Sequence, residues 1–447
     1  MNSQPIFSKK QTWALIIPLM IEQLLNSLMG TADTIMVTTA GAASISAVSL
    51  VDSINVLVVN VFSAMATGGA IVTSQYLGHG QTDKANFAGR QLIFSVTAIS
   101  LIGTALAIGL RNPILSTAFG KIDIDVMENA RTYFLITAAS YPFIAVYNAA
   151  AALFRADKNS KLPMTISTIS NLLNIAGNAV MIFGLGMGVT GAALSTLFSR
   201  IFSAAVVIFF LVTTKQTIGI GNLMSTKPDF QMILKILKIG IPTGIENGMF
   251  QFGKLAIQST VSLMGTAAIA ANAMTSTLES LSCQAPIGIG LGMMTIVGQC
   301  VGAGDDEQAA RYIKRLTFYG FLALLVSAAT VSILVIPITS LSKMETEVAS
   351  MTRHLTWFVH AIKPFAWCLS FLPAYGFRAA GDVKFSMAVS MTTMWTCRVA
   401  IVMVLARIFG FGPLAVWIGM ASDWCVRSVC FLVRFKSGKW LSHKITR

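Results

Sequence analysis

Long apolar runs separated by short polar links fill the whole chain. A helix needs about 20 residues to cross a bilayer. Twelve runs meet that length, at roughly 12–37, 46–76, 91–112, 130–154, 162–185, 190–213, 232–262, 267–299, 315–340, 353–377, 385–409 and 411–434. They are continuous, whereas strands of a membrane barrel would alternate over about ten residues. The pattern therefore predicts an all-α integral membrane protein with twelve transmembrane helices.

The halves repeat. Pro18 and Glu22 recur as Pro242 and Glu246, and Gly41, Ile45 and Ala47 as Gly265, Ile269 and Ala271. Gln75, Gly78, Gly80 and Ala85 recur as Gln299, Gly302, Gly304 and Ala309, and the segment from Phe154 to Met164 resembles that from Phe377 to Met387. Six spans per half preserve direction, so two parallel six-helix repeats are expected. The predicted organisation is a bundle over 1–213, a cytoplasmic connector over 214–231, and a second bundle over 232–447 with a short basic tail.

Composition agrees with the pattern. Of 447 residues, 55% are hydrophobic and 11% charged, against about 25% charged in soluble proteins. The net charge of +14 sits in links and at the ends. That is the positive-inside arrangement, not a nucleic-acid surface, and it predicts that both termini are cytoplasmic. The first run follows Lys9 and Lys10 without a cleavage site, which predicts an uncleaved span. The six cysteines all lie in apolar segments, as packing residues. A Walker A motif, a metal-binding His/Cys cluster and a nucleophilic triad are all missing from the sequence. A non-enzyme without cofactor or resident metal is expected.

The informative residues are polar ones inside apolar runs. Glu22, Asn26 and Asp33 share a face of the first span by their spacing, with Met29 among them. A carboxylate near the bilayer centre costs roughly 2.5–3.5 kcal/mol on insertion scales, so Asp33 is a functional candidate. Asn171, Asn174 and Asn178 form one face of span five, and Thr196 begins span six. Counting rise per residue places Asp33, Asn178 and Thr196 at similar depth, in the outer half. Span seven carries Glu246 and, on one face, Asn247, Gln251, Lys254 and Gln258. Lys254 is expected to pair with Glu279 or Glu246, or to snorkel. Asp52 is a further intramembrane acid. Arg398 and the Asp423–Arg427 pair read as structural ties. Pro18, Pro142, Pro242, Pro286 and Pro364 are candidate kinks.

These motifs resemble the multidrug and toxic compound extrusion (MATE) family. The resemblance rests on Pro18 and Asp33, the Gln-x-x-Gly-x-Gly loops at Gln75 and Gln299, the FRA loops at Arg155 and Arg378, the stretch from Gly184 to Thr196, and the segment from Asp423 to Trp440. It covers nearly the whole chain. It implies a V-shaped molecule with a central cavity, acting as a plasma-membrane antiporter. Small amphipathic organic compounds would leave in exchange for protons or sodium. The resemblance assigns coupling to Asp33 and a cation site to Asn174, Asn178 and Thr196. Asn178 departs from the family pattern, which more often has Asp there, so protons are favoured over sodium. Candidate substrate contacts are Glu22, Asn26, Met29, Glu246, Gln251, Lys254 and Glu279. The expected partners are organic substrates and the lipid bilayer, with the chain a monomer. The alternatives are a lipid-linked oligosaccharide flippase of related helical plan and a membrane scaffold or receptor without flux.

Overall fold

The computed structural model describes residues 5–39, 41–120, 122–213, 217–219, 221, 227–342 and 344–443. Among the described residues the chain is helical and has no strand. The first half runs α1 (Lys9–Thr38), α2 (Ala42–Gly78), α3 (Thr82–Gly109), α4 (Arg111–Phe119), α5 (Ile124–Ala139), α6 (Tyr141–Ala156), α7 (Lys161–Asn178) and α8 (Gly188–Thr213). The second runs α9 (Phe230–Val261), α10 (Thr266–Gly302), α11 (Asp306–Leu341), α12 (Thr346–Ala379), α13 (Val383–Thr393), α14 (Ala400–Arg407) and α15 (Leu414–Lys436). A π-helical turn, Ala179–Gly184, extends α7, and another, Met394–Val399, joins α13 to α14. Much of the predicted connector lies outside the described residues.

Ten of the described helical segments are long and apolar enough to cross a membrane, and the bent pair α5–α6 makes an eleventh. The twelfth is α9, which spans 32 residues but carries Lys235, Lys238, Glu246 and Lys254. The twelve-span plan is therefore present, with the short α4 an addition to it.

Equivalent glycines punctuate both halves. Gly41 and Gly265 precede α2 and α10 with φ of 101° and 92°, and Gly80 and Gly304 follow them with φ of 75° and 78°. These are conformations that side chains with a Cβ adopt at a cost. The prolines are less symmetric. Pro242 and Pro364 lie inside continuous helices, but Pro142 follows a break at Ser140, where α5 and α6 bend by 42°.

The chain forms two compact units, Met1–Leu24 with Ile245–Arg447, and Leu25–Gly244. Each boundary falls inside the first helix of a repeat. The start of α1 packs on α10, where a Cβ on Gly288 would lie 2.6 Å from the Met20 backbone and one on Gly292 would lie 2.9 Å from Ile16. The start of α9 packs on α2 in the same manner. A Cβ on Gly68 would lie 2.5 Å from the Ile236 carbonyl, and one on Gly240 would lie 3.2 Å from Met65. Small residues let these backbones approach and gain dispersion contacts that lipid does not supply. In the Leu25–Gly244 unit, α2 packs against α3, α5 and α6; in the other, α10 packs against α11 and α12.

Candidate functional site

Within the Leu25–Gly244 unit, α1 and α7 lie in matched register. Asn26 Oδ1 accepts from the Asn171 amide at 2.7 Å and from Ser167 Oγ at 2.9 Å. Two turns further along both helices, the Asn178 amide donates to Asp33 Oδ1. Asn174 lies between. With its amide turned so that both ends are satisfied, it donates to the two Asp33 oxygens at 2.9 and 3.2 Å, and its oxygen accepts from the Thr196 N–H at 3.2 Å. The four residues that the resemblance grouped thus converge. Asp33 is half-buried and Asn178 is 1% exposed. Met29 is half-buried on the same helix.

Glycines explain how α8 comes close enough to join. A Cβ on Gly177 would lie 2.4 Å from Ser195 Oγ, and one on Gly191 would lie 2.9 Å from Met181 in the π-helical turn. Ser195 Oγ donates to the Asn174 carbonyl at 2.7 Å. Asn178 ends α7 at the point where the helix widens, and its Oδ1 is buried with no partner among the described residues. A π-helical turn of this kind often accompanies a functional site.

A second polar group lies in the same unit. Asp52 Oδ1 accepts from Asn55 at 3.1 Å and from the Tyr133 hydroxyl at 3.3 Å. Asn55 Oδ1 accepts from Tyr141 at 2.8 Å, and Arg200 donates to Ser140 Oγ at 2.7 Å, at the bend between α5 and α6. Arg200 is within electrostatic reach of both Asp33 and Asp52. The sequence reading missed this arginine. The available signal was its spacing, one turn beyond Thr196 on an otherwise apolar helix.

The other candidates lie in the other unit. Glu246 is bound by Arg378 at 2.7 Å, and Glu279 by Lys363 at 2.6 Å. Among the described residues no ion pair joins Lys254 to either acid, although Glu279 is within its electrostatic reach. Lys254 is exposed, and neither it nor Gln251 has a hydrogen-bond partner among the described residues. Glu22 is 3% exposed. Arg398 and Arg427 both bind Asp423, at 2.6 and 2.8 Å, which joins the expected ties into one triad. All six cysteines are free.

Known proteins resemble this chain along its length. The probable multidrug resistance protein NorM of Thermotoga maritima is 26% identical over 440 residues, covering 97% of this chain and 93% of that protein. The uncharacterized transporter YisQ of Bacillus subtilis is 28% identical over 445 residues, covering 96% and 94%. Among solved structures, a MOP superfamily transporter from Pyrococcus furiosus, described by the reverse polarity of its binding pocket, matches with a TM-score of 0.89 at 18% identity, covering 96% of each chain. An outward-facing multidrug resistance MATE family transporter of the same superfamily matches with a TM-score of 0.87 at 18% identity, again covering 96% of each. These likenesses establish the fold. The MatE family model matches residues 18–180 and again 242–404, two stretches displaced by the same 224 positions that separate Pro18 from Pro242. Together with the converging first-repeat residues and the twelve helices, that double match means that the chain belongs to the MatE family.

Proposed function

We propose that this protein is a multidrug exporter of the plasma membrane, with both termini cytoplasmic, that exchanges amphipathic organic compounds for protons by alternating access. The observation that carries the reading is the Asp33 carboxyl, held by Asn174 and Asn178 and only half-buried. A lone carboxyl among amides, within the apolar part of the protein, gains by taking up a cation. The names of the relatives, a probable multidrug resistance protein and a transporter, support export as the activity.

Two features favour the proton over sodium. First, an amide serves either state of a carboxyl. Its NH2 donates to the ionised form, as Asn178 does here, and its oxygen can accept from the protonated form after the amide turns. The unpartnered Asn178 Oδ1 is the atom available for this. Second, a sodium ion would gain only one carboxylate at Asp33, whereas hard cations bind through several oxygens. Protonation removes the charge on Asp33, loosens its hold on α7 and lets α1, α7 and α8 repack. A membrane potential contributes about 2.3 kcal/mol per charge per 100 mV to the exchange.

The test is efflux of ethidium from proteoliposomes under an imposed proton gradient or an imposed sodium gradient. Proton-driven efflux that Asp33→Asn abolishes supports the reading. Equal pumping by that variant under both gradients rejects it.

A further inference from the structure

The unit that contains Ile245–Arg447 holds an excess of positive charge in its helical interior. Phe250, on α9, lies under two guanidinium groups, Arg398 at 5.1 Å and Arg427 at 5.2 Å. Those arginines share one carboxylate, Asp423. Lys254 stands one turn beyond Phe250 on the same face of α9, within electrostatic reach of Arg398 and Glu279. Glu279 already binds Lys363 at 2.6 Å. Among the described residues of this cluster, five bases, Lys254, Lys363, Arg378, Arg398 and Arg427, stand against three acids, Glu246, Glu279 and Asp423.

The local fold builds this arrangement. Arg398 belongs to the π-helical turn Met394–Val399. That turn fits against α9 at Gly253, next to Lys254, where a Cβ would lie 2.2 Å from the end of Met394. Arg398 is 3% exposed, and its Nε–H has no acceptor among the described residues. Beneath the guanidiniums, Phe250 meets Phe371 edge-on at 6.2 Å, and Phe371 stacks on Trp367 at 4.8 Å.

We propose that Lys254, with Arg398 behind it and the Phe250–Phe371 surface beside it, binds the anionic group of an amphipathic organic substrate. The inference rests on the exporter reading and adds organic anions and zwitterions to the substrates it takes. Unbalanced charge in a membrane-embedded interior is costly. Lys254 is the exposed member of the set, and so the one a ligand can reach. A carboxylate, sulfonate or phosphate would balance it, while the aromatic surface takes the apolar body of the substrate.

The experiment uses the full chain, purified in an uncharged detergent, and calorimetric titration with three ligands of one shape: naphthalene-2-carboxylate, naphthalene-2-carboxamide and naphthalen-2-ylmethylammonium. The expected result is at least ~10-fold tighter binding of the carboxylate, about 1.4 kcal/mol. Lys254→Met removes that preference, Lys254→Arg keeps it, and amide binding stays unchanged in both. A parallel titration with dodecyl phosphate distinguishes sources. Lys254-dependent binding stronger than that of the naphthoate assigns the site to lipid-borne phosphates; weaker binding assigns it to small organic anions. Equal binding of the three naphthalenes, preference for the ammonium, or an unchanged preference in Lys254→Met overturns the proposal. Proton-driven ethidium efflux is measured on the same preparations. If efflux persists while the anion preference is absent, the inference fails and the exporter reading stands. If ethidium is moved under neither gradient, the exporter reading itself fails.

Discussion

The Asn178 amide donates to the Asp33 carboxylate across a separation of 145 residues, and Asn171 meets Asn26 across the same 145. One constant offset means that α1 and α7 run parallel and in register, with equivalent polar positions two turns apart. Asp33 is therefore held by a face and not by a single contact, and a change in its charge acts on the packing of two helices.

That arrangement predicts what Asn178→Asp would do. A second carboxylate supplies the oxygen charge that sodium lacks at this position. Sodium-driven ethidium efflux should appear in this variant and be absent from the parent. The comparison is made in proteoliposomes with the two gradients applied separately. A variant still driven by protons alone would show that the ion is chosen elsewhere.

Arg200 ties the bend between α5 and α6 through Ser140 while its charge faces Asp33 and Asp52. Arg200→Met removes a charge-assisted hydrogen bond and leaves two acids without a counter-charge. The expected loss of stability is about 1.5–3 kcal/mol, read as a lower midpoint of thermal unfolding in detergent. Ser140→Ala, which loses only the hydrogen-bond acceptor, should cost less.

At Gly288, α10 packs closely on the start of α1. Gly288→Ala forces a methyl group to within 2.6 Å of the Met20 backbone, and overpacking of this kind costs about 1–3 kcal/mol. The equivalent position of the first repeat is Ala64, whose Cβ would lie 3.6 Å from one on Gly244. A methyl is already present there, so Ala64→Gly should change the unfolding midpoint less than Gly288→Ala.

Asp157 lies in the loop after α6 and accepts from the backbone N–H groups of Thr217 and Ile218, at 3.1 and 3.3 Å. Burial pushes its carboxyl above the ordinary value of 3.8, although those hydrogen bonds oppose the shift. A carboxyl whose folded-state value is raised stabilises the fold at low pH and loses that contribution as pH rises through the folded value. Asp157→Asn keeps an acceptor oxygen without the charge. Its unfolding midpoint should match or exceed the parent's at pH 7, and the difference should shrink toward pH 4. A variant less stable at pH 7 than at pH 4, relative to the parent, would reverse the sign.

Much of the architecture was legible in the residues alone. Apolar runs of bilayer length fix where helices form, because a backbone in hydrocarbon must satisfy its own hydrogen bonds. The displacement of 224 between Pro18 and Pro242 disclosed the repeat, and the family model matches both halves at that same displacement. The spacing of Asn26 and Asp33, and of Asn171, Asn174 and Asn178, showed two polar faces that each needed a partner. Such features lie within one helix, where a period of 3.6 residues makes them readable.

Pairings between helices were decided only by the tertiary structure. The sequence offered Glu246 and Glu279 as partners for Lys254; packing gave them to Arg378 and Lys363 instead. Pro142 stands at a break in its span, whereas Pro364 lies inside a continuous helix. Arg200 acquired its importance from Ser140, 60 residues away. The division of α1 and α9 between the two compact units has no mark in the hydrophobic pattern. Such outcomes depend on how helices pack, which turns on close backbone approach at positions such as Gly68 and Gly288. That is set by the summed shape of many side chains across the fold, which no local spacing records.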